Sequence, residues 1–141
     1  MILNVFTDGA SRGNPGEAAI GVIGISEDGT ILFQEHKYLG TATNNIAEYS
    51  ALFYAIEKLQ KIDSLSTFSE IIFHTDSELM ARQLTGIYKV KDEELKKMFM
   101  KVKSSLVSLP IQYTIKHIPR AQNKKADLLA NEALDAHQKN S

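Results

Sequence analysis

The chain has 141 residues, of which 43% are hydrophobic and 23% charged, and its formal net charge is −1 at pH 7. This length suits one domain with a substantial core, and the composition is typical of globular proteins rather than of disordered or membrane-spanning ones. Because the chain contains no cysteine, disulfides, thiolate metal sites and cysteine nucleophiles are excluded, and a metal ion would need oxygen or imidazole ligands. The balanced charge disfavours a nucleic-acid-binding protein that is basic over its whole surface, while a local basic patch stays possible.

The amino-terminal third of the sequence predicts three consecutive strands. The first is a short apolar run that ends at Asp8 and passes into a glycine-containing loop, within the stretch FTDGASRGNPG. The runs at 18–26 and 31–40 are rich in β-branched and aromatic residues, and the Asp28-Gly29 pair between them favours a tight hairpin. We therefore predict an antiparallel meander.

The remainder of the sequence predicts helices that alternate with strands. The apolar period becomes helical over residues 44–62, with a face broad enough for a buried helix. The later patterns predict, in order, a strand, two helices, a strand and a last helix, at 70–75, 77–85, 92–109, 111–118 and 122–137. A meander followed by crossovers indicates an α/β fold, in which helices flank a mixed five-stranded sheet of three antiparallel strands and two strands parallel to the first.

Four carboxylates occupy comparable places in this predicted layout. Asp8 and Asp76 end two strands, and parallel neighbouring strands would bring them together at the sheet edge where ligands bind. Glu48 lies near the start of the buried helix, and Asp127 lies on the inward side of the last helix. Converging carboxylates repel one another unless a cation neutralises them, and oxygen ligands suit Mg²⁺ or Mn²⁺. Two such ions about 4 Å apart support hydrolysis of a phosphodiester, which is nuclease chemistry.

Each of these acids also has a purely structural interpretation. Asp76 could cap the helix that follows it, and Asp8 could belong to an ordinary turn. Glu48 could close a capping box at the start of its helix. Asp127 could pair with a neighbour on its own helix. Taken singly, these interpretations are the more common ones, and only the set of four favours a metal site.

The glycine loop that follows Asp8 is equally ambiguous. Its spacing loosely suggests a phosphate-binding loop, but no Lys-Ser/Thr pair follows and the next element is a strand rather than a helix. The loop could be a wide connection between antiparallel strands. Alternatively, its missing side chains could let the backbone near Asp8 approach a bulky polymeric ligand.

Four segments in order resemble the motifs of type 1 ribonuclease H, the family that cleaves the RNA strand of RNA–DNA hybrids. They are FTDGASRGNPG, TNNIAEY, TDSELMARQL and HIPRAQNKKADLLANEA, and the resemblance extends from Asp8 to about Ala133. It implies the ribonuclease H-like fold and an endonuclease that uses two Mg²⁺ ions, for which Mn²⁺ can substitute. The products would carry 5′-phosphate and 3′-hydroxyl ends, and the partner would be the hybrid duplex.

The resemblance also implies catalytic roles for single residues. Asp8 would bridge both metal ions, Glu48 and Asp76 would hold the ion on the leaving-group side, and Asp127 would hold the ion that carries the attacking water. His117 lies ten positions before Asp127 and matches the mobile-loop histidine that assists proton transfer or product release. Considered alone, a histidine at a strand end is more often an ordinary surface residue.

Substrate contacts are implied in the same way. Three asparagines fall where the family reads the minor groove of the hybrid, and Thr43 resembles a contact to a phosphate of the DNA strand. These asparagines are Asn14, Asn44 and Asn45. An asparagine side chain offers both a donor and an acceptor to a 2′-hydroxyl group. Turn formation and helix capping are the alternative roles for these residues.

One departure from the family concerns basic residues. Some members carry a basic, tryptophan-containing protrusion, whereas this chain has only GIYKVKDEEL in that region and no tryptophan. Lysines there could replace the protrusion, although lysines on an amphipathic helix usually form a solvated face; they are Lys89, Lys91, Lys96 and Lys97. Arg120, Lys124 and Lys125, beside Asp127, are better placed to contact phosphate.

We predict a single catalytic domain over residues 1–137, followed by a short tail at 138–141, in a cytoplasmic, monomeric protein. The apolar runs are far shorter than the roughly 20 residues that cross a bilayer, and the first residues do not resemble a secretory signal. Three alternative functions stay open: a non-catalytic nucleic-acid-binding module, a nuclease for double-stranded RNA or DNA, and a small-molecule phosphatase. The four acids disfavour the first alternative and the three asparagines disfavour the second.

Overall fold

Five strands form one sheet in the computed structural model, which describes residues 1–139. They are β1 (Ile2–Gly13), β2 (Gly16–Ser26), β3 (Ile31–Ala42), β4 (Glu70–Thr75) and β5 (Gln112–His117). Their spatial order is β3-β2-β1-β4-β5, with β1, β2 and β3 antiparallel and with β4 and β5 parallel to β1. The mixed sheet predicted from the sequence is confirmed.

Helices cover both faces of this sheet. They are α1 (Asn44–Gln60), α2 (Glu78–Leu84), α3 (Glu93–Val107) and α4 (Lys124–Lys139), with short 3₁₀ turns at Leu65–Thr67 and Arg120–Gln122. Helix α1 lies against β1 and β2 and carries α3 on its outer side, whereas α4 lies across β1, β2 and β3. None of the helices within residues 1–139 combines the length and the apolar character that a bilayer crossing requires.

The main core lies between α1 and the sheet. Leu3 and Val5 of β1 are fully buried there, against a stripe of α1 that includes Leu52 and Ile56. Ala10, an even-numbered β1 residue, instead packs on the α4 side with Ala19, Ala133 and Leu134. This alternation is the ordinary strand period of two, and it places Asp8 on the same side of β1 as α4.

Side chains fix the starts of the helices that carry the candidate site. The Thr43 hydroxyl accepts a hydrogen bond from the Ile46 amide at 3.2 Å, and the Ser77 hydroxyl accepts one from the Met80 amide at 3.1 Å. Each bond satisfies one of the amide groups left free in a first helical turn. The first turns of α1 and α2 therefore have defined positions beside the sheet.

The predicted glycine loop is wrong. β1 continues beyond Asp8 and pairs with β2 as far as Gly13 opposite Gly16, so that only Asn14 and Pro15 lie between the strands. Gly13 and Gly16 serve close packing inside this hairpin, where a Cβ atom on Gly16 would lie 2.4 Å from the Arg12 carbonyl oxygen. The sequence suggested a loop because glycine and proline usually interrupt strands.

The carboxyl-terminal helix differs from its prediction at both ends. It begins at Lys124, two residues later than expected, because a 3₁₀ turn precedes it. It also includes Gln138 and Lys139, which we assigned to a tail, and the His137 ring stacks on Tyr38 with ring centroids 3.7 Å apart. This contact ties the last turn to β3, while residues 140–141 of the predicted tail lie outside the described residues.

Candidate active site

Three carboxylates converge where the parallel pairing of β1 and β4 ends. The last parallel pair joins Phe6 to His74, and Asp8 and Asp76 each lie two residues further along. Glu48 reaches the same point from the early part of α1, and carboxylate oxygens of these three acids all lie within 4.8 Å of one another. The fold thus brings together three acids that are far apart in the sequence.

A close approach of α1 to β1 places Glu48. A Cβ atom on Gly9 would lie 2.2 Å from the carbonyl carbon of Ala47, so a larger residue would push α1 away from the strand. The Gly9 amide donates a hydrogen bond to Glu48 Oε1 at 2.6 Å. Gly9 therefore serves the contact between helix and strand, and the close approach of a polymeric ligand to the glycine-containing stretch stays a prediction.

The structure excludes three of the purely structural interpretations. Ser77, not Asp76, caps α2. The cap of α1 is Thr43, and Glu48 accepts its hydrogen bond from β1 instead of closing a capping box. Asp8 pairs with Gly21 in the middle of a strand and does not belong to a turn. Nothing in local backbone structure requires a carboxylate at these three positions.

Asp127 approaches the cluster from the first turn of α4. It is partly buried and lines the same cleft as the other three acids. The Asn131 side chain donates to Asp127 Oδ1 at 3.2 Å, so this acid does pair with a neighbour on its own helix. Helix α4 can lie this close to the sheet because Gly21 has no side chain, since a Cβ atom there would lie 2.2 Å from the Ala126 carbonyl oxygen.

The cluster carries an unbalanced negative charge. Burial raises the pKa of Asp8 well above its ordinary value, and the charges of Glu48 and Asp76 together with a hydrogen bond to Asp127 raise it further. Burial followed by the charge of Asp76 also raises the pKa of Glu48. Within residues 1–139, no ion pair with a basic side chain compensates these carboxylates. Clustered, partly desolvated oxygen ligands of this kind suit a hard divalent cation.

Three of the six predicted substrate contacts line this cleft. Asn44, Asn45 and Arg120 line it together with the acids, around a volume of about 420 Å³. Asn14 lies at the tip of the β1–β2 hairpin, and its Oδ1 accepts a hydrogen bond from the Asn44 amide at 3.0 Å. The three asparagines therefore form one continuous surface, and Thr43 caps the helix behind it.

The other predicted contacts lie outside the cleft. His117 is exposed at the end of β5, in register with Thr75, and it is therefore one strand away from Asp76. Lys124 is exposed at the start of α4 and borders a separate cavity. The exposed lysines Lys91, Lys96 and Lys97 share a shallow groove with Glu93 on α3, and Lys89 is also exposed.

Sequence reasoning missed Asn123, which is 1% exposed beside the acids. Its Nδ2 donates to Asp76 Oδ2 at 3.1 Å and to the Thr7 carbonyl oxygen at 2.9 Å. The only signal in the sequence was its place four residues before Asp127 within the last motif. In a single sequence, an asparagine at that position predicts an ordinary helix cap.

Comparisons with known proteins agree with this geometry. Residues 6–133 match the family model described as reverse transcriptase-like. The chain is 41% identical over 133 residues to the ribonuclease HI of Halobacterium salinarum, a match that covers 94% of this chain and 64% of that protein. It is 37% identical over 137 residues to the bifunctional protein Rv2228c of Mycobacterium tuberculosis, covering 96% of this chain and 36% of that protein. The chain thus spans less than two thirds of the length of these curated relatives.

A solved structure shares the whole architecture. The crystal structure of LC11-RNase H1 in complex with an RNA/DNA hybrid superimposes with a TM-score of 0.91 at 41% sequence identity. The match covers 96% of this chain and 99% of that one. The similarity therefore includes every strand and helix that carries the acidic cleft.

Proposed function

The chain belongs to the reverse transcriptase-like family, within its type 1 ribonuclease H branch, and from this membership we propose that it is an endonuclease that hydrolyses the RNA strand of RNA–DNA hybrids. The observation that carries the proposal is the convergence of Asp8, Glu48 and Asp76 in a cleft that Asp127 also lines. The chain presents these acids on a fold that, in LC11-RNase H1, accommodates a hybrid.

In this proposal the acids hold two Mg²⁺ ions, with Mn²⁺ as a substitute. Asp8 would help to hold both ions, Glu48 and Asp76 would hold the ion nearer the leaving group, and Asp127 would hold the ion nearer the attacking water. When bound, the cations supply an activated water and neutralise charge at the phosphodiester. The raised pKa values of Asp8 and Glu48 support this assignment, because two buried carboxylates that favour protonation gain most from a cation.

The remaining site residues position the substrate and move protons. Asn44 and Asn45 offer hydrogen bonds to 2′-hydroxyl groups, and Asn14 extends this surface through its bond to the Asn44 backbone. Arg120 borders the acids and contacts a phosphate, and Lys124 adds a second basic group at the edge. His117, on the neighbouring strand, assists proton transfer or product release.

The remaining contacts and the oligomeric state complete the proposal. Thr43, at the start of α1, contacts a phosphate of the DNA strand as well as capping the helix. All of these groups come from one chain, which supports action as a monomer. The products carry 5′-phosphate and 3′-hydroxyl ends.

A cleavage assay tests the proposal directly. Labelled RNA–DNA hybrid, double-stranded RNA and double-stranded DNA are incubated with Mg²⁺, Mn²⁺ or a chelator, using the wild type, Asp76→Asn and Asp63→Asn. Asp63 is an exposed acid beyond the end of α1 and provides the matched control. We expect metal-dependent cutting of the hybrid's RNA strand alone, with loss of at least about 100-fold in Asp76→Asn and no change in Asp63→Asn.

Two of the alternative functions, the binding module and the nuclease for another duplex, give different results in this assay. Folded wild-type protein that binds the hybrid without cutting it under any metal condition would identify a non-catalytic binding module and refute the proposal. Equal cutting of double-stranded RNA would refute the substrate assignment while retaining the nuclease reaction. Cleavage that survives in Asp76→Asn would show that the acidic cleft is not the active site.

A further inference from the structure

Asn123 is buried in a way that its position in the chain does not require. It precedes α4, and its carbonyl oxygen accepts the first hydrogen bond of that helix, from the Asp127 amide at 3.1 Å. Asparagine at such a position normally caps the helix with its side-chain oxygen. Here Asn123 Oδ1 is buried and has no hydrogen-bond partner among the described residues. The side chain therefore does not cap α4 and points into the protein interior instead.

The contacts of the Asn123 amide nitrogen explain this orientation. Both of its partners, Asp76 Oδ2 and the Thr7 carbonyl oxygen, are acceptors only. The side-chain nitrogen, and not the oxygen, must therefore face both partners, and this fixes the orientation of the amide group. One N–H group is directed to each partner, so the side chain bridges β1 and the residue that follows β4.

In the hydrogen bond to Thr7, the Asn123 side chain takes the place of a strand neighbour of β1. The parallel pairing of β1 with β4 ends at Phe6 and His74, so Thr7 lies just beyond the last strand partner. Asn123 supplies the donor for this carbonyl, which belongs to the peptide bond leading into Asp8. Asn123 therefore helps to hold the Asp8 backbone on the β4 side, while β2 holds it on the other side through Gly21.

The bond to Asp76 orients a carboxylate without neutralising it. A lysine or arginine at this place would pair with Asp76 and compete with a cation for it. A neutral amide instead fixes one oxygen of Asp76 and leaves the negative charge in place. Asn123 thus acts on Asp76 and Asp8 through its side chain, and on Asp127 through the helix that it begins.

We propose that Asn123 is a positioning residue of the metal centre, holding Asp76 and the backbone at Asp8 in the arrangement that binds divalent cations. This inference rests on the proposed function, because it assumes that the acids are metal ligands. Loss of such a supporting hydrogen bond typically weakens metal binding or activity by about 10- to 100-fold.

Calorimetry on the free protein gives a readout that does not require catalysis. Mn²⁺ is titrated into the wild type, Asn123→Ala, Asn123→Leu and Asn4→Ala. Leucine has the branched shape and the heavy-atom number of asparagine without its amide, so it tests the loss of the hydrogen bonds without the cavity that alanine leaves. Asn4 is the matched control, since it accepts a hydrogen bond from His74 Nε2 at 2.9 Å on the same side of the sheet.

We expect both Asn123 variants to bind Mn²⁺ about 10- to 100-fold more weakly than the wild type, and Asn4→Ala to bind it normally. In cleavage assays, the Mg²⁺ concentration for half-maximal rate should rise by a similar factor. The KM for the hybrid at saturating Mg²⁺ should change less than about twofold, because Asn123 is buried and does not reach the substrate.

Opposite results would overturn the inference. If the Asn123 variants melt at lower temperature but bind Mn²⁺ as tightly as the wild type, Asn123 has only a structural role. If the wild type binds no Mn²⁺, the metal centre itself is refuted. If the wild type binds Mn²⁺ but cleaves no hybrid, only the proposed function is refuted. The comparison of Mn²⁺ affinities then still decides the role of Asn123.

Discussion

At the residue scale, the acidic cleft opposes the stability of the fold. Asp8 and Glu48 are buried, their pKa values are raised, and within the described residues no basic side chain pairs with them. Buried carboxylates without a basic partner cost free energy, and within residues 1–139 Asp8 and Glu48 meet the partly buried Asp76 at this point. A bound cation would remove most of the repulsion.

This repulsion predicts how the metal-free protein responds to pH. Because the folded-state pKa values of Asp8 and Glu48 are raised, the folded protein binds more protons than the unfolded chain at intermediate pH. Their contribution to stability is complete below the ordinary carboxylate pKa and is lost as pH rises through the raised values. We therefore expect the free energy of unfolding without metal to fall as pH rises from the ordinary carboxylate range through the raised pKa values, about 8 for Glu48 and about 10 for Asp8, and Mg²⁺ to oppose the fall.

Asp8→Asn tests this explanation. The substitution removes a buried carboxyl that must stay protonated in the folded state, so at pH 8.5 the metal-free variant should be more stable than the wild type by at least about 1.4 kcal/mol, the equivalent of one pKa unit. At pH 5 the difference should be smaller, and hybrid cleavage should be lost at both pH values. Urea unfolding in chelator measures the free energies, with Asp63→Asn as the control. Parallel pH profiles for wild type and Asp8→Asn would contradict the assignment.

At the scale of elements, helix α1 carries much of the site within its first five residues. Asn44 and Asn45 border the cleft, and Glu48 enters it. Two contacts hold this turn in place, namely the Thr43 cap and the close approach at Gly9. The position of the helix start therefore sets the geometry of both substrate contacts and metal ligands.

Thr43→Ala tests the contribution of the cap. Without the hydroxyl that accepts from the Ile46 amide, the free energy of unfolding should fall by about 1 kcal/mol. Thr43→Ser keeps an accepting hydroxyl, so its free energy of unfolding should fall by only a few tenths of a kcal/mol. Urea unfolding without nucleic acid measures both values. In cleavage assays, the alanine variant should raise the KM for the hybrid more than the serine variant does. Equal stability of the two variants would show that the cap does not hold α1.

The sequence predicted elements whose signals are local and missed those that depend on distant contacts. The helical period of α1 is readable because the responsible residues lie within a few positions of one another. Gly9 suggested a loop, because the local pattern does not show why glycine is needed there. Glycine is needed because the backbone of α1, almost forty residues away, packs against it. Asn123 was missed for the same reason, since its partners are Asp76 and Thr7.

At the scale of the whole molecule, the charge distribution limits how a nucleic acid can bind. The net charge is −1 and the cleft is acidic, so electrostatic affinity for a polyanion must come from local basic groups and from cations. Arg120 lies in the cleft, whereas Lys96 and Lys97 lie on α3 in a groove that Glu93 also borders. These two locations predict different contributions to binding.

The salt dependence of hybrid binding separates the two locations. Binding is measured in the Asp76→Asn background, so that the hybrid is not cut, over a range of salt concentrations. Each phosphate contact that is lost reduces the slope of log K against log salt by about 0.9. We expect Arg120→Ala to reduce the slope by about this amount and the double substitution Lys96→Ala with Lys97→Ala to leave it unchanged. A reduction of nearly 2 in the double variant would instead show that α3 contacts the duplex and replaces the basic protrusion found in other family members.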